Sequence, residues 1–171
     1  ESLPVYQSLH DAGALTVRIC AWRPIEALPS LIECGVRPGL GDSWLRLGAL
    51  KLLADGSLGA GTAAFFEGYT DEPENRGLLL KPEAEIERLI LEADAHGFQL
   101  AVHAIGDRTN ALVLDAFEKA LRVNPAWDRR WRIEHAQHVR AADVARFRAL
   151  GVIASVQPFH AVDDMRFAER R

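Results

Sequence analysis

The chain has 171 residues, 49% of them hydrophobic and 26% charged. Those proportions describe a globular protein and exclude disordered, collagen-like and disulfide-scaffold classes. Twenty Lys and Arg against twenty-four Asp and Glu give a net charge of −4, without the basic footprint of a nucleic-acid binder.

No apolar run approaches the ~20 residues of a membrane span. A cytoplasmic protein is expected. The length suits one domain over residues 1–171, but a complete (β/α)8 barrel typically needs about 250 residues. The first residue is Glu1 rather than Met, which reads as a chain that has lost its true N-terminus. Cys20 and Cys34 lack the spacing of metal or redox motifs and are expected to be buried free thiols.

Strands and helices alternate along the chain. Leu15 to Ala21 is a β-rich run, followed by a helical segment that ends near Cys34 and stops at Gly35. Pro38, Gly39 and Gly41 mark a loop, and Arg46 to Ala54 reads as the second strand. Residues 56–81 are polar and Gly-rich without a clear period, long for a βα loop and therefore a candidate functional segment. Pro82 suits the first turn of a helix in which Ile86, Leu89, Ile90 and Ala93 recur at helical spacing before the stop at Gly97.

Phe98 to Ile105 is the third strand, and a helix rich in Val113, Ala116, Phe117, Ala120 and Leu121 runs to Asn124-Pro125. Trp131 to Ala136 is the fourth strand; a helix with Val144, Phe147 and Leu150 stops at Gly151. Residues 152–157 form the fifth strand, ended by Pro158, and Phe167 to Arg171 reads as the start of another helix. The order implies an α/β fold with a parallel sheet and right-handed crossovers. No Gly-x-Gly-x-x-Gly or Walker loop follows any strand, so the nucleotide-binding signal is missing.

Parallel α/β folds place their sites at the C-terminal ends of strands. There the second, third and fourth strands carry Lys51, His103 and His135. With side chains alternating faces, Lys51, Leu53 and Asp55 are expected on one face, and Ala101, His103 and Ile105 likewise. The two histidines stand one βα unit apart, at equivalent points of adjacent strands, close enough to share one ion. Lys51 in an apolar strand is costly unless paired or neutralised. Burial lowers a lysine's pKa, and the neutral amine can form a Schiff base or a carbamate able to bridge two cations.

Other polar residues have more local readings. Asp55 either lines the pocket or stabilises its loop, and Asp107 is a pocket residue or a helix N-cap. His160, just past Gln157-Pro158, is a pocket candidate. His10 has no partner pattern, His96 suits a helix C-terminus, and His138 belongs to a loop.

Four strings then carry a resemblance. Leu50-Lys51-Leu52-Leu53-Ala54-Asp55-Gly56-Ser57-Leu58-Gly59 and Val102-His103-Ala104-Ile105-Gly106-Asp107-Arg108 come first. Arg132-Ile133-Glu134-His135-Ala136-Gln137 and Ala154-Ser155-Val156-Gln157-Pro158-Phe159-His160 follow in order. Together they resemble the third amidohydrolase family, the branch of the metal-dependent amidohydrolases that includes N-substituted formamide deformylases.

The resemblance implies a (β/α)8 barrel with one or two divalent metals, usually zinc, acting on an amide-type C–N bond. It makes Lys51 the lysine that can be carboxylated, and His103 and His135 metal ligands. The family's first-strand His-x-His pair is absent here. Its eighth-strand Asp, the expected general base, would lie beyond this chain. By that count the chain is a partial barrel, about strands three to seven, expected to bind metal weakly and to show little activity alone. A partial barrel exposes two sheet edges, so a homo-oligomer is expected.

Two rival readings remain at this stage. One is a Schiff-base aldolase or lyase using Lys51, and the other a non-catalytic binding or assembly module derived from a barrel.

Overall fold

In the computed structural model, which describes residues 2–169 and 171, five parallel strands alternate with helices. The strands are β1 (Ile19–Pro24), β2 (Leu45–Leu53), β3 (Leu100–Ala104), β4 (Arg132–His135) and β5 (Ile153–Ser155). Each pairs in parallel with the next, so the sheet order is the chain order. A sheet laid down in sequence, with a helix returning the chain over the same face each time, is the arrangement of a partial (β/α)8 barrel.

The helices are α1 (Leu3–Asp11), α2 (Leu28–Glu33), α3 (Glu83–Ala95), α4 (Asp107–Val123), α5 (Ala141–Leu150) and α6 (His160–Asp163). In α3, Pro82 caps the start, Glu83 and Glu85 complement the positive end of the dipole, and Gly97 takes a φ of 75° at the stop. Its buried stripe, Ile86, Leu89, Ile90 and Ala93, meets the stripe of α4, where Val113, Leu114, Ala116, Phe117 and Ala120 are buried.

The strands supply the other half of this core. Leu50, Leu52, Leu100, Val102, Ala104 and Ile133 are fully buried toward the helices. Burial of each large apolar side chain contributes about 1.5–3 kcal/mol. The opposite face of the sheet is open: Lys51, His103, Arg132 and Glu134 are partly exposed, and Leu53 is exposed. One face builds the core, and the other is left for chemistry.

Residues 56–81 contain neither helix nor strand, only an isolated bridge between Asp55 and Leu79. They nevertheless hold a small core of their own, with Leu58, Ala63 and Tyr69 buried beside Ile105. The Tyr69 hydroxyl donates to the Ala63 carbonyl at 2.9 Å, which ties the segment to itself.

Three expectations are corrected, and one helix is added. The first strand begins at Ile19 rather than Leu15, because its partner β2 begins at Leu45 and leaves nothing for residues 15–18 to pair with. Helix α1 is the added one, an element with no fully buried side chain. Cys20 and Cys34 are exposed rather than buried: one lies on edge strand β1, the other at the C-cap of α2. The last helical segment is α6 followed by a 3-10 turn at Asp164–Arg166, and Phe167–Glu169 are a turn; Arg170 lies outside the described residues.

Helix α1 is fastened by a pair the sequence did not suggest. His10 Nε2 lies 2.9 Å from Asp42 Oδ2, while Asp42 Oδ1 accepts the Trp44 and Leu45 amides. The Leu45 amide, then His10, hold the Asp42 carboxyl down at about 2, and Asp42 raises His10 above its ordinary 6.5. Asp42's contribution is present above its unfolded value of about 3.8 and lost as pH falls toward about 2. His10's contribution is present below 6.5 and lost as pH rises through its elevated value. We expect amide exchange in α1, corrected for intrinsic rates, to be faster at pH 8.5 than at about pH 5. Equal protection at both values would show that the pair does not hold the helix.

Candidate functional site

Parallel pairing places side chains in rows across the open face. Leu53, His103, Glu134 and Ser155 share one register level, and Lys51, Ala101, Arg132 and Ile153 the level before it. The first row lies at the C-terminal ends of the strands, where such sheets collect their sites.

His135 is the register partner of Ala104, which is buried toward the helices. Simple alternation would send His135 the same way. Instead the backbone turns left-handed at two successive non-glycine residues, with φ of 73° at His135 and 42° at Ala136. The His135 and His103 rings lie edge to face with centroids 4.5 Å apart. His160, the first residue of α6, stacks on His135 at 5.4 Å, with ring planes 9° apart. Three imidazoles thus cluster at the mouth of β3, β4 and β5, with His135 in contact with both others.

The nitrogens of this cluster are not equivalent. His103 Nε2 lies 2.8 Å from the Gly56 carbonyl oxygen, which can only accept, so Nε2 carries the proton and the neutral ring bears its lone pair on Nδ1. His135 Nδ1 is buried and has no hydrogen-bond partner. Burial first, then the neighbouring His103 and Lys51, push His135 below the ordinary imidazole value and favour its neutral form.

Lys51 is half-buried on the open face, and desolvation lowers its pKa, partly offset by the Glu134 carboxylate. Burial of Glu134 works to raise its own pKa. The bonds from Arg132 and Ser155, with Lys51 nearby, outweigh this and hold it below the usual carboxylate range. Arg132 Nε donates to Glu134 at 2.7 Å, its Nη2 donates to Ser155 Oγ at 2.6 Å, and its guanidinium lies over the Trp22 ring. This charged group beside the imidazoles gave no sequence signal beyond polar residues in strand positions.

Asp55 departs from the expected face. The strand ends at Leu53, alternation ends with it, and Asp55 is 1% exposed. Its oxygens accept the amides of Ala64, Ile105 and Gly106 at 2.9–3.0 Å instead of lining the cleft. His160 does line a cleft with His135, Gln157 and His138. Asp107, first residue of α4, accepts the Phe66 amide at 3.1 Å and lines an adjoining cleft with Phe65, Phe66 and Arg140. His96 closes α3 by bonding the Glu92 carbonyl through Nδ1 at 2.9 Å, and His138, beyond β4, packs against Phe65.

A parallel α/β segment with imidazoles gathered at its strand ends has the form of a partial barrel with a candidate site. The chain belongs to the Amidohydrolase family, whose profile matches residues 1–171. It is 39% identical over 161 residues to Protein LONG AFTER FAR-RED 3 of Arabidopsis thaliana, covering 94% of this chain and 28% of that protein. Two solved structures share the fold, both titled uncharacterized metal-dependent hydrolases. The one from Pyrococcus furiosus has a TM-score of 0.86 at 37% identity, over 99% of this chain and 34% of that one. The one from Pyrococcus horikoshii has the same TM-score at 33% identity, over 99% of this chain and 33% of that one. The chain thus spans about a third or less of the length of these relatives.

The residues fit the divalent metal that the family implies. Two adjacent imidazoles offer a bare Nδ1 and an unpartnered buried Nδ1, beside a lysine whose neutral form burial favours. Among the described residues no three His, Cys, Asp or Glu side chains form a metal-binding group. No helix among the described residues is long and apolar enough to cross a membrane.

Proposed function

We propose that this chain forms the central part of a metal-dependent amidohydrolase acting on an amide-type C–N bond of a small molecule. The observation that carries the reading is the facing pair His103 and His135, each with an imidazole nitrogen free of protein partners, at the C-terminal end of a parallel sheet. In this reading the two imidazoles hold a divalent ion, zinc for preference, and Lys51 joins them as a carbamate. Bound there, the ion would polarise the substrate carbonyl and lower the pKa of a water.

The chain's own residues supply the surroundings. The Arg132–Glu134–Ser155 network lies beside the rings on the same open face. His160 and Gln157, beside His135 in the cleft, offer polar contacts to a bound substrate, and Asp107 borders the adjoining cleft. The proton-transferring Asp, two further ligands and the covering of the β1 and β5 edges are assigned to the rest of a barrel or to a second copy of the chain.

The test is turnover by the intact protein loaded with zinc or manganese across a broad panel of amides and formamides. Metal-dependent release of amine is the expected result; no turnover on any member overturns the reading. Borohydride trapping of a carbonyl substrate on Lys51 without metal would instead establish Schiff-base chemistry.

A further inference from the structure

We propose that Asp55 is a positioning residue that fixes His103 with its proton on Nε2 and its lone pair on Nδ1. The proposal rests on the reading of His103 as a metal ligand. It adds the part of the fold that decides which nitrogen His103 presents.

Asp55 sits where three chain segments meet. Its Oδ2 accepts the Ala64 and Gly106 amides at 3.0 and 2.9 Å, and its Oδ1 accepts the Ile105 amide at 3.0 Å. Ile105 lies two residues past His103, and Ala64 belongs to the long loop, so one carboxylate joins the end of β3 to that loop. The next residue, Gly56, turns its carbonyl onto His103 Nε2 at 2.8 Å. Asp55 Oδ1 is itself 3.5 Å from Nε2, too far for a good hydrogen bond but close enough to favour the N–H end of the ring.

The carbonyl has little room to leave. A Cβ on Gly56 would meet Thr62 Oγ1 at 2.1 Å, and one on Gly106 would meet the Ala64 carbonyl oxygen at 1.9 Å. The Gly56 amide donates to the Thr62 carbonyl at 3.2 Å, and the Ser57 amide to Thr62 Oγ1 at 3.0 Å. The turn after β2 is thus closed on itself at Gly56 and pressed onto the end of β3 at Gly106. A ligating imidazole needs one nitrogen bare and its orientation set through the other. In this site a backbone carbonyl performs that task, and a buried carboxylate holds the carbonyl in place.

The experiment uses the intact protein free of metal, labelled with 15N-histidine, with His103 assigned by comparison with His103→Gln. The wild type is expected to show His103 as the Nε2–H form. Asp55→Asn, which brings an NH2 group against backbone donors, is expected to mix in the Nδ1–H form. It is also expected to weaken zinc binding about 10–100-fold in chelator competition, with an unchanged circular dichroism spectrum. A purely structural carboxylate would lower the melting temperature without moving the tautomer.

Wild-type His103 found as the Nδ1–H form overturns the proposal, a result that does not require the variant to fold. So does Asp55→Asn with an unaltered tautomer and zinc affinity within about threefold of wild type, short of the loss expected for an outer-shell residue. If the wild type takes up no zinc, the hydrolase reading fails, and the tautomer measurement alone decides the role of Asp55.

Discussion

Replacing Asp94 with Ala is expected to cost about 3–5 kcal/mol of stability, the cost of stranding a buried charge. Asp94 is 2% exposed and Arg129 8%. The guanidinium grips the carboxylate twice, Nε to Oδ1 at 2.8 Å and Nη2 to Oδ2 at 3.1 Å. Trp127 Nε1 and Asn124 Nδ2 also donate to the same carboxylate at 2.9 Å. Alanine would leave Arg129 between the Trp127 and Trp131 rings, 5.6 and 5.0 Å from their centroids, with no counter-charge.

The loss would not stay local. Asp94 lies on α3, Asn124 ends α4, and Arg129 precedes β4 by three residues, so the cluster fixes where β4 enters the sheet. Trp131, stacked on Phe117 at 4.4 Å, continues that anchorage into the core. Urea denaturation would measure the change, and a loss below about 1 kcal/mol would show that the pair is no more than a surface ion pair.

This cluster also shows where sequence reading stops. The β-α alternation was legible because the two longest helices, α3 and α4, carry apolar stripes and helix stops punctuate the chain, as Gly97 does after Ile86, Leu89, Ile90 and Ala93. Asp94 on the same helix looks like any polar residue, because its partners come from beyond α4 and no local spacing announces them. Asp55 was misplaced for a related reason. Period-two alternation was extended two residues past Leu53, where the strand had ended and turn hydrogen bonds took over. The apolar core is written in periodicity, whereas buried polar residues depend on contacts distant in sequence.

The pairing of His103 with His135 was also read from the chain, by their equivalent places on consecutive strands. How the pairing is achieved was not legible there. The register sets His135 opposite Ala104, and only the left-handed backbone at His135 and Ala136 brings its ring to His103. Neither residue type announces a positive φ, unlike the glycine that stops α5 at 66°. Such conformations persist only where the surroundings over-determine them, and they gather at sites that need a side chain aimed.

That strain makes a measurable expectation for His135. A left-handed conformation costs an L-residue about 1–2 kcal/mol and costs glycine nothing comparable. In a strand or helix interior, glycine is instead less stable than alanine by roughly 0.5–1 kcal/mol. Both His135→Ala and His135→Gly remove the ring, so their difference isolates the backbone at φ 73°. His135→Gly is expected to be the more stable of the two by about 1–2 kcal/mol in metal-free urea denaturation.

Both variants are expected to lose zinc uptake, because the buried Nδ1 without a protein partner goes with the ring. Alanine as stable as glycine, or more so, would refute the strain. Zinc bound by either variant as tightly as by wild type would remove His135 from the metal site. The expected outcome, stability gained by Gly over Ala while metal is lost from both, would show that the backbone at the end of β4 is held against its own preference in order to aim an imidazole.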